Sequence, residues 1–129
     1  MKKNILVAFL LVVSSIYAQG SVSISTSVVD SARYEIIQSP LELSFTFKLD
    51  KFSGRIFQLV RTKLREMHWE DMLVKDLHTI ELDENLYPRF QIFMGGMWTA
   101  DTYLLDTKTG IVWQLQKGSD GSWVWDMVE

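Results

Sequence analysis

Cysteine is absent from the 129 residues, histidine occurs only twice, and basic residues are outnumbered by acidic ones, 13 to 16. Without cysteine there is no disulfide scaffold, no thiolate metal site, no cysteine nucleophile and no lipid-modified cysteine anchor. A net charge of −3 and a pI near 5.4 run against nucleic-acid binding, which wants a basic patch. There is also no Gly-x-Ser-x-Gly elbow, His-Glu-x-x-His pair, phosphate loop or dinucleotide fingerprint. What remains is 47% hydrophobic and 22% charged, the composition of one globular domain.

The N-terminus carries an address. Lys2 and Lys3 precede an unbroken apolar run at residues 5–13, followed by Ser14, Ser15, Ile16, Tyr17 and Ala18. A positive start, a short apolar core and a small exit residue describe a secretory signal peptide, residues 1–18, cut after Ala18. The run is shorter than the roughly 20 residues that span a bilayer, so the cleaved chain is not expected to cross a membrane. The expectation is an exported bacterial protein, periplasmic or secreted, with 11 basic against 16 acidic residues after cleavage. Residues 19–32 form a Ser-rich leader, either flexible or an edge strand through the alternation at 21–25.

Beyond it lies an internal repeat. A shift of 56 residues aligns 33–60 with 89–116 without a gap, and eight of the 28 positions are identical. They are Arg33/Arg89, Ile36/Ile92, Thr46/Thr102, Leu49/Leu105, Asp50/Asp106, Gly54/Gly110, Gln58/Gln114 and Leu59/Leu115. The same shift pairs Trp69 with Trp125. The domain at 33–129 therefore reads as two units, 33–74 and 89–129, joined by a linker at 75–88 with room for a helical turn.

Each unit contains a hairpin. Asp50 and Asp106 stand before polar turns closed by Gly54 and Gly110, as a type I turn followed by a left-handed residue requires. A three-residue loop at 52–54 predicts that Lys51 faces Arg55, Leu49 faces Phe57 and Phe47 faces Leu59. One apolar face then holds all four apolar residues, matched by Leu105, Trp113, Tyr103 and Leu115, and opposes the polar set Thr46/Thr102 and Gln58/Gln114. Alone, residues 62–77 have helical spacing; the match of 67–74 to the Trp-rich end of the chain decides for a strand. The fold expected is all-β, a duplicated antiparallel β-meander of about four strands per unit, packed as a small sandwich or barrel. The run Leu105-Asp106-Thr107-Lys108-Thr109-Gly110-Ile111-Val112-Trp113 resembles a hairpin of quinoprotein-type β-propeller blades, over about nine residues of each copy. The first copy departs from it at Phe52 and Phe57. The resemblance implies a hairpin and no enzymatic activity, and two copies fall short of the roughly four blades that a propeller needs.

Candidate chemistry is sparse. His68 lies beside Glu66, Glu70 and Asp71, but the second unit has Val124 in its place, so a solvent-facing strand residue is expected. His78, near Asp76 and Glu81, offers too few metal ligands, and Glu81, Asp83 and Glu84 lack the spacing of a calcium loop. Asp50 and Asp106 are expected to accept turn N–H groups rather than to act as a hydrolytic carboxylate pair. Arg33 and Arg89 are expected to pair with linker acids or with Glu70 and Asp126. No catalytic residue, metal or cofactor is assigned.

Four of five tryptophans lie in the last 32 residues, and two of them, Trp98 and Trp123, are not demanded by the repeat. Trp98 follows Gly95-Gly96, where the first unit has Ser39-Pro40. Met94, Met97 and Trp98, on a loop suited to a protein or an envelope polymer, and Trp123, on the closing strand, are thus the candidate binding residues. The functional expectation is a non-catalytic interaction module. The alternatives are a small periplasmic hydrolase, drawing on Asp101 or Asp106 with a histidine, and a structural subunit that self-associates through edge strands.

Overall fold

The computed structural model describes residues 24–40, 42, 44–82, 87–95 and 101–129. The signal segment 1–18 lies outside the described residues, as do Met97 and Trp98. Nine strands are described: β1 (Ile24–Ser25), β2 (Tyr34–Gln38), β3 (Thr46–Asp50), β4 (Ile56–Arg61), β5 (Met67–Asp71), β6 (Phe90–Met94), β7 (Thr102–Asp106), β8 (Val112–Lys117) and β9 (Trp123–Met127). They are rich in aromatic and β-branched residues, which fit a pleated, half-buried surface. Two antiparallel sheets result, ordered β1-β2-β3-β4-β5 and β6-β7-β8-β9.

The fold is all-β, as the sequence predicts, and the duplication extends to its details. Strands β2 to β5 become β6 to β9 on adding 56 to each residue number. Their registers shift together, so Tyr34 opposite Asp50 becomes Phe90 opposite Asp106, and Leu59 opposite Trp69 becomes Leu115 opposite Trp125. Residues 67–71 form a strand, which disposes of the helical alternative. Among its described residues the linker carries one 3-10 turn, Leu77–Thr79, entered through a left-handed Asp76. Among the leader's described residues, Ile24 and Ser25 pair as a strand on the edge of β2.

The hairpin register differs from expectation by one residue. Leu49 faces Ile56, Lys48 faces Phe57 and Phe47 faces Gln58. The cause is the turn. Asp50 N–H donates to Arg55 O (2.9 Å) and Gly54 N–H to Asp50 O (2.8 Å), so the loop holds four residues, 51–54, instead of three. The second hairpin repeats this, with Asp106 N–H on Ile111 O and Gly110 N–H on Asp106 O. Because side chains alternate, one residue of slip exchanges the faces. Phe47 and Leu49 share one face with Ile56 and Gln58, while Phe57 and Leu59 lie on the other. The presumed polar set also splits, with Thr46 and Gln58 on opposite faces, and the Gln58 amide donates to Ser44 O (3.1 Å).

The core exposes the consequence. The first sheet contributes Ile37, Phe47, Leu49 and Ile56, and the second contributes Phe90, Leu104, Trp113, Leu115 and Trp125. Phe47 and Leu49 correspond to Tyr103 and Leu105, which are half-buried; Trp113 and Leu115 correspond to Phe57 and Leu59, also half-buried. The two units therefore bury opposite faces of the same meander. Across the seam Phe45 meets Trp123 edge-on at 5.0 Å and Phe47 meets Trp125 at 5.7 Å. Val74 pairs in parallel with Trp125, and Lys75 O accepts the Trp113 indole N–H at 2.8 Å.

Gly54 and Gly110 sit at φ +78° and +79°, conformations that cost an L-residue roughly 1–2 kcal/mol. A Cβ at Gly110 meets nothing within 4 Å, whereas one at Gly54 comes within 2.9 Å of the Phe90 ring. Gly110→Ala should therefore lose about 1 kcal/mol, and Gly54→Ala a further 1–3 kcal/mol or so from overpacking. Urea melts of the two variants check this; equal losses would contradict the asymmetry.

Candidate functional site

The repeated acids hold the hairpins together. Asp50 Oδ1 accepts the N–H groups of Phe52 (3.0 Å) and Ser53 (3.4 Å), and Asp106 Oδ1 accepts that of Lys108 (3.0 Å). Each also binds the arginine that opens its unit: Arg33 to Asp50 at 2.8 Å, and Arg89 to Asp106 through two bonds of 2.6 and 2.7 Å. For Arg33 this corrects the expected partner; for Arg89 it adds Asp106 to a linker contact. Pairing of the first two strands puts residue 34 opposite 50 and 90 opposite 106, leaving the preceding arginine beside the carboxylate. Glu81 takes part only through its backbone O, which accepts from Arg89 (2.8 Å), and Asp126 instead pairs with Lys75.

Burial pushes the Asp106 carboxyl up, but bonds from Arg89, Thr109 and the Lys108 N–H outweigh it and hold the group at about 2. Asp50 is lowered for the same reasons, with Arg33 as its main donor. Carboxylates saturated with donors are turn and pair elements; neither is available as a general acid near neutral pH. A value depressed in the folded state contributes stability that is present above the unfolded value and lost as pH falls through the folded one. Acidification from about pH 5 to pH 2 should therefore remove about 2 kcal/mol through Asp106. Melts across that range check it, with Asp106→Asn expected to flatten the profile.

The other candidates disperse. His68 is exposed on β5 opposite Val60. A cleft of about 600 Å³ at the edge between the sheets is lined by Gln58, Glu70, Asp71, Lys75, Asp120 and Trp123, and His68 is not among its walls. His78 lines a separate cleft of about 550 Å³ with Met72, Leu73, Leu77 and Ile80. Among the described residues, no three His, Cys, Asp or Glu side chains gather to hold a metal ion. No helix among them is long and apolar enough to cross a membrane. Of the candidate binding residues, Met94 ends β6 and is buried in the core, not displayed on a loop. Trp123 is half-buried against Phe45 and lines the first cleft.

The larger feature lies on the sheets' outer faces. That of the first sheet aligns Tyr34 and Ile36 on β2, Lys48 on β3, Phe57 and Leu59 on β4, and Trp69 and Met67 on β5. Tyr34, Ile36 and Met67 are exposed. Lys48 lays its ammonium over Phe57 (4.6 Å) and Trp69 (5.0 Å), a cation–π arrangement that covers the rings. The second sheet's outer face carries Phe93, 65% exposed, with Tyr103, Leu105 and Val112. The sequence carried a signal for this: Ile56-Phe57-Gln58-Leu59-Val60 is apolar at both parities, the mark of a strand covered on both sides.

No protein-family model, curated protein or solved structure matches this chain.

Proposed function

We propose that the protein is an exported, non-catalytic interaction module whose binding surface is the outer face of the first sheet, and that its partner is a protein. One observation carries the reading: Tyr34, Ile36, Phe57, Leu59 and Trp69 lie side by side on one face, with Arg33 over the Tyr34 ring, Lys48 over Phe57 and Trp69, and Arg55 over Phe57. Contiguous apolar surface with embedded aromatics is what protein contacts use. The face is four strands wide and lacks the convergent polar groups of a small-molecule pocket.

The test is retention. Immobilised protein should retain a partner from envelope extract, and Trp69→Ser should release it while Phe93→Ser, on the other sheet, reports on that face separately. Retention indifferent to Trp69 would remove the first sheet's outer face from consideration. Export rests on Lys2, Lys3 and the apolar run at 5–13; a chain purified from the cell envelope should begin at Gln19, and an intact Met1 there would contradict it.

A further inference from the structure

We propose that the partner is a second copy of this chain, seated so that the first sheet's outer face of one copy packs on the second sheet's outer face of the next. The proposal rests on the interaction-module reading and names its partner.

Inside the chain, one face of the meander, bearing Ile37, Phe47, Leu49 and Ile56, packs on the opposite face of its duplicate, bearing Phe90, Leu104, Trp113, Leu115 and Trp125. What the chain leaves uncovered is the same pair of faces, exchanged between units. The second sheet's outer face bears Phe93, Tyr103, Leu105 and Val112, the counterparts of Ile37, Phe47, Leu49 and Ile56. The first sheet's outer face bears Tyr34, Lys48, Phe57, Leu59 and Trp69, the counterparts of Phe90, Leu104, Trp113, Leu115 and Trp125. The contact already formed within the chain is thus a template for the one still open.

The template also sets a register. Within the chain Phe47 meets Trp125 and Phe45 meets Trp123. Between copies the same geometry brings Tyr103 to Trp69 and Asp101 to Met67. Arg61 stands directly opposite Met67, its Nε 3.5 Å from the Met67 sulfur. The charges agree with this. On the first sheet's outer face, Asp50 and Asp71 are neutralised by Arg33 and Arg55, leaving Lys48 and Arg61 as cations outside any ion pair found among the described residues. The facing surface presents Asp101, and its Asp126 is already held by Lys75. Edge-to-edge pairing is disfavoured, because β5 carries His68, Glu70 and Asp71, charges and polar groups of the kind that guard an edge.

Such a contact joins two different surfaces, so it is head-to-tail: it closes into a ring if the rotation permits and otherwise grows into a filament. That asymmetry supplies the test. Purified protein should sediment as a species larger than the monomer at tens of micromolar, a range chosen on the order of a modest affinity. Trp69→Asp and Tyr103→Asp, each on a different face, should weaken association by at least about tenfold. Mixed one to one, these two variants should recover a dimer, since each retains the face that the other has lost. Circular dichroism melts establish that the variants fold; should either not, Lys48→Glu and Asp101→Lys replace them, with the same recovery expected on mixing. A monomeric wild type overturns the inference and leaves a foreign protein partner for that face. Association that survives both variants, or no dimer on mixing, overturns the face-to-face contact itself.

Discussion

Trp125→Ala is expected to lose on the order of 3–5 kcal/mol of stability, whereas Trp69→Ala, the same change 56 residues earlier in the repeat, should lose about 1 kcal/mol. The two tryptophans share a place in the meander, opposite Leu115 and Leu59 respectively. They differ in what covers them. Trp125 is fully buried, meets Phe47 edge-on across the seam and pairs its backbone with Leu73 and Lys75. Trp69 is half-buried under the Lys48 ammonium, a setting closer to that of a surface site. Trp125→Phe should fall between. It keeps an aromatic ring against Phe47 and removes an indole N–H for which the described residues offer no acceptor, a group whose burial costs about 1–3 kcal/mol. Denaturant midpoints of the three variants measure this, at a protein concentration low enough to keep association out of the melt. Equal losses at Trp69 and Trp125 would mean that both faces of the first sheet are covered within one chain.

Asp106→Ala is expected to cost about 3–5 kcal/mol, as for other broken buried pairs. Arg89 is 4% exposed and Asp106 is not exposed at all. Removing the carboxylate takes two charge-assisted bonds from a buried guanidinium that also donates to the Glu81 carbonyl, and takes away the oxygens that accept from the Lys108 N–H and the Thr109 hydroxyl. Asp50→Ala should cost about 1–2 kcal/mol. Its arginine, Arg33, has 48% of its side chain exposed and returns to water when the partner is lost, so the turn N–H bonds account for most of the change. The pair tests whether burial, and not the repeated motif itself, sets the strength of the Arg–Asp link. Similar losses at both positions would refute it.

Much of the candidate site was out of reach of the sequence for a definable reason. The turn aspartates were legible, because an acid before a polar run and a left-handed glycine has few other roles. Their arginine partners were not. The ion pair follows from the β2–β3 register, which brings together groups 17 residues apart, while the linker acids lie nearer in sequence to Arg89. The apolar outer face is hidden by a single assumption, that each strand has one polar face. Gln58 and Gln114 encouraged it, yet Gln58 lies on the inner face, satisfied by Ser44 O.

The sequence by itself determined the repeat, the strand order within each unit, the turn residues and the all-β class. These depend on local chemistry: alternation, aspartate and glycine at turns, and a 56-residue self-match that keeps every strand boundary. Only the tertiary structure decided which face each unit buries. A strand apolar at both parities satisfies its pattern with either face inward, and two similar halves must still choose between packing like on like and packing front on back. The choice falls on front against back, with Phe45 and Phe47 of one unit meeting Trp123 and Trp125 of the other edge-on. Lys48, at the place of Leu104, stays on the outer face, where its ammonium keeps contact with water.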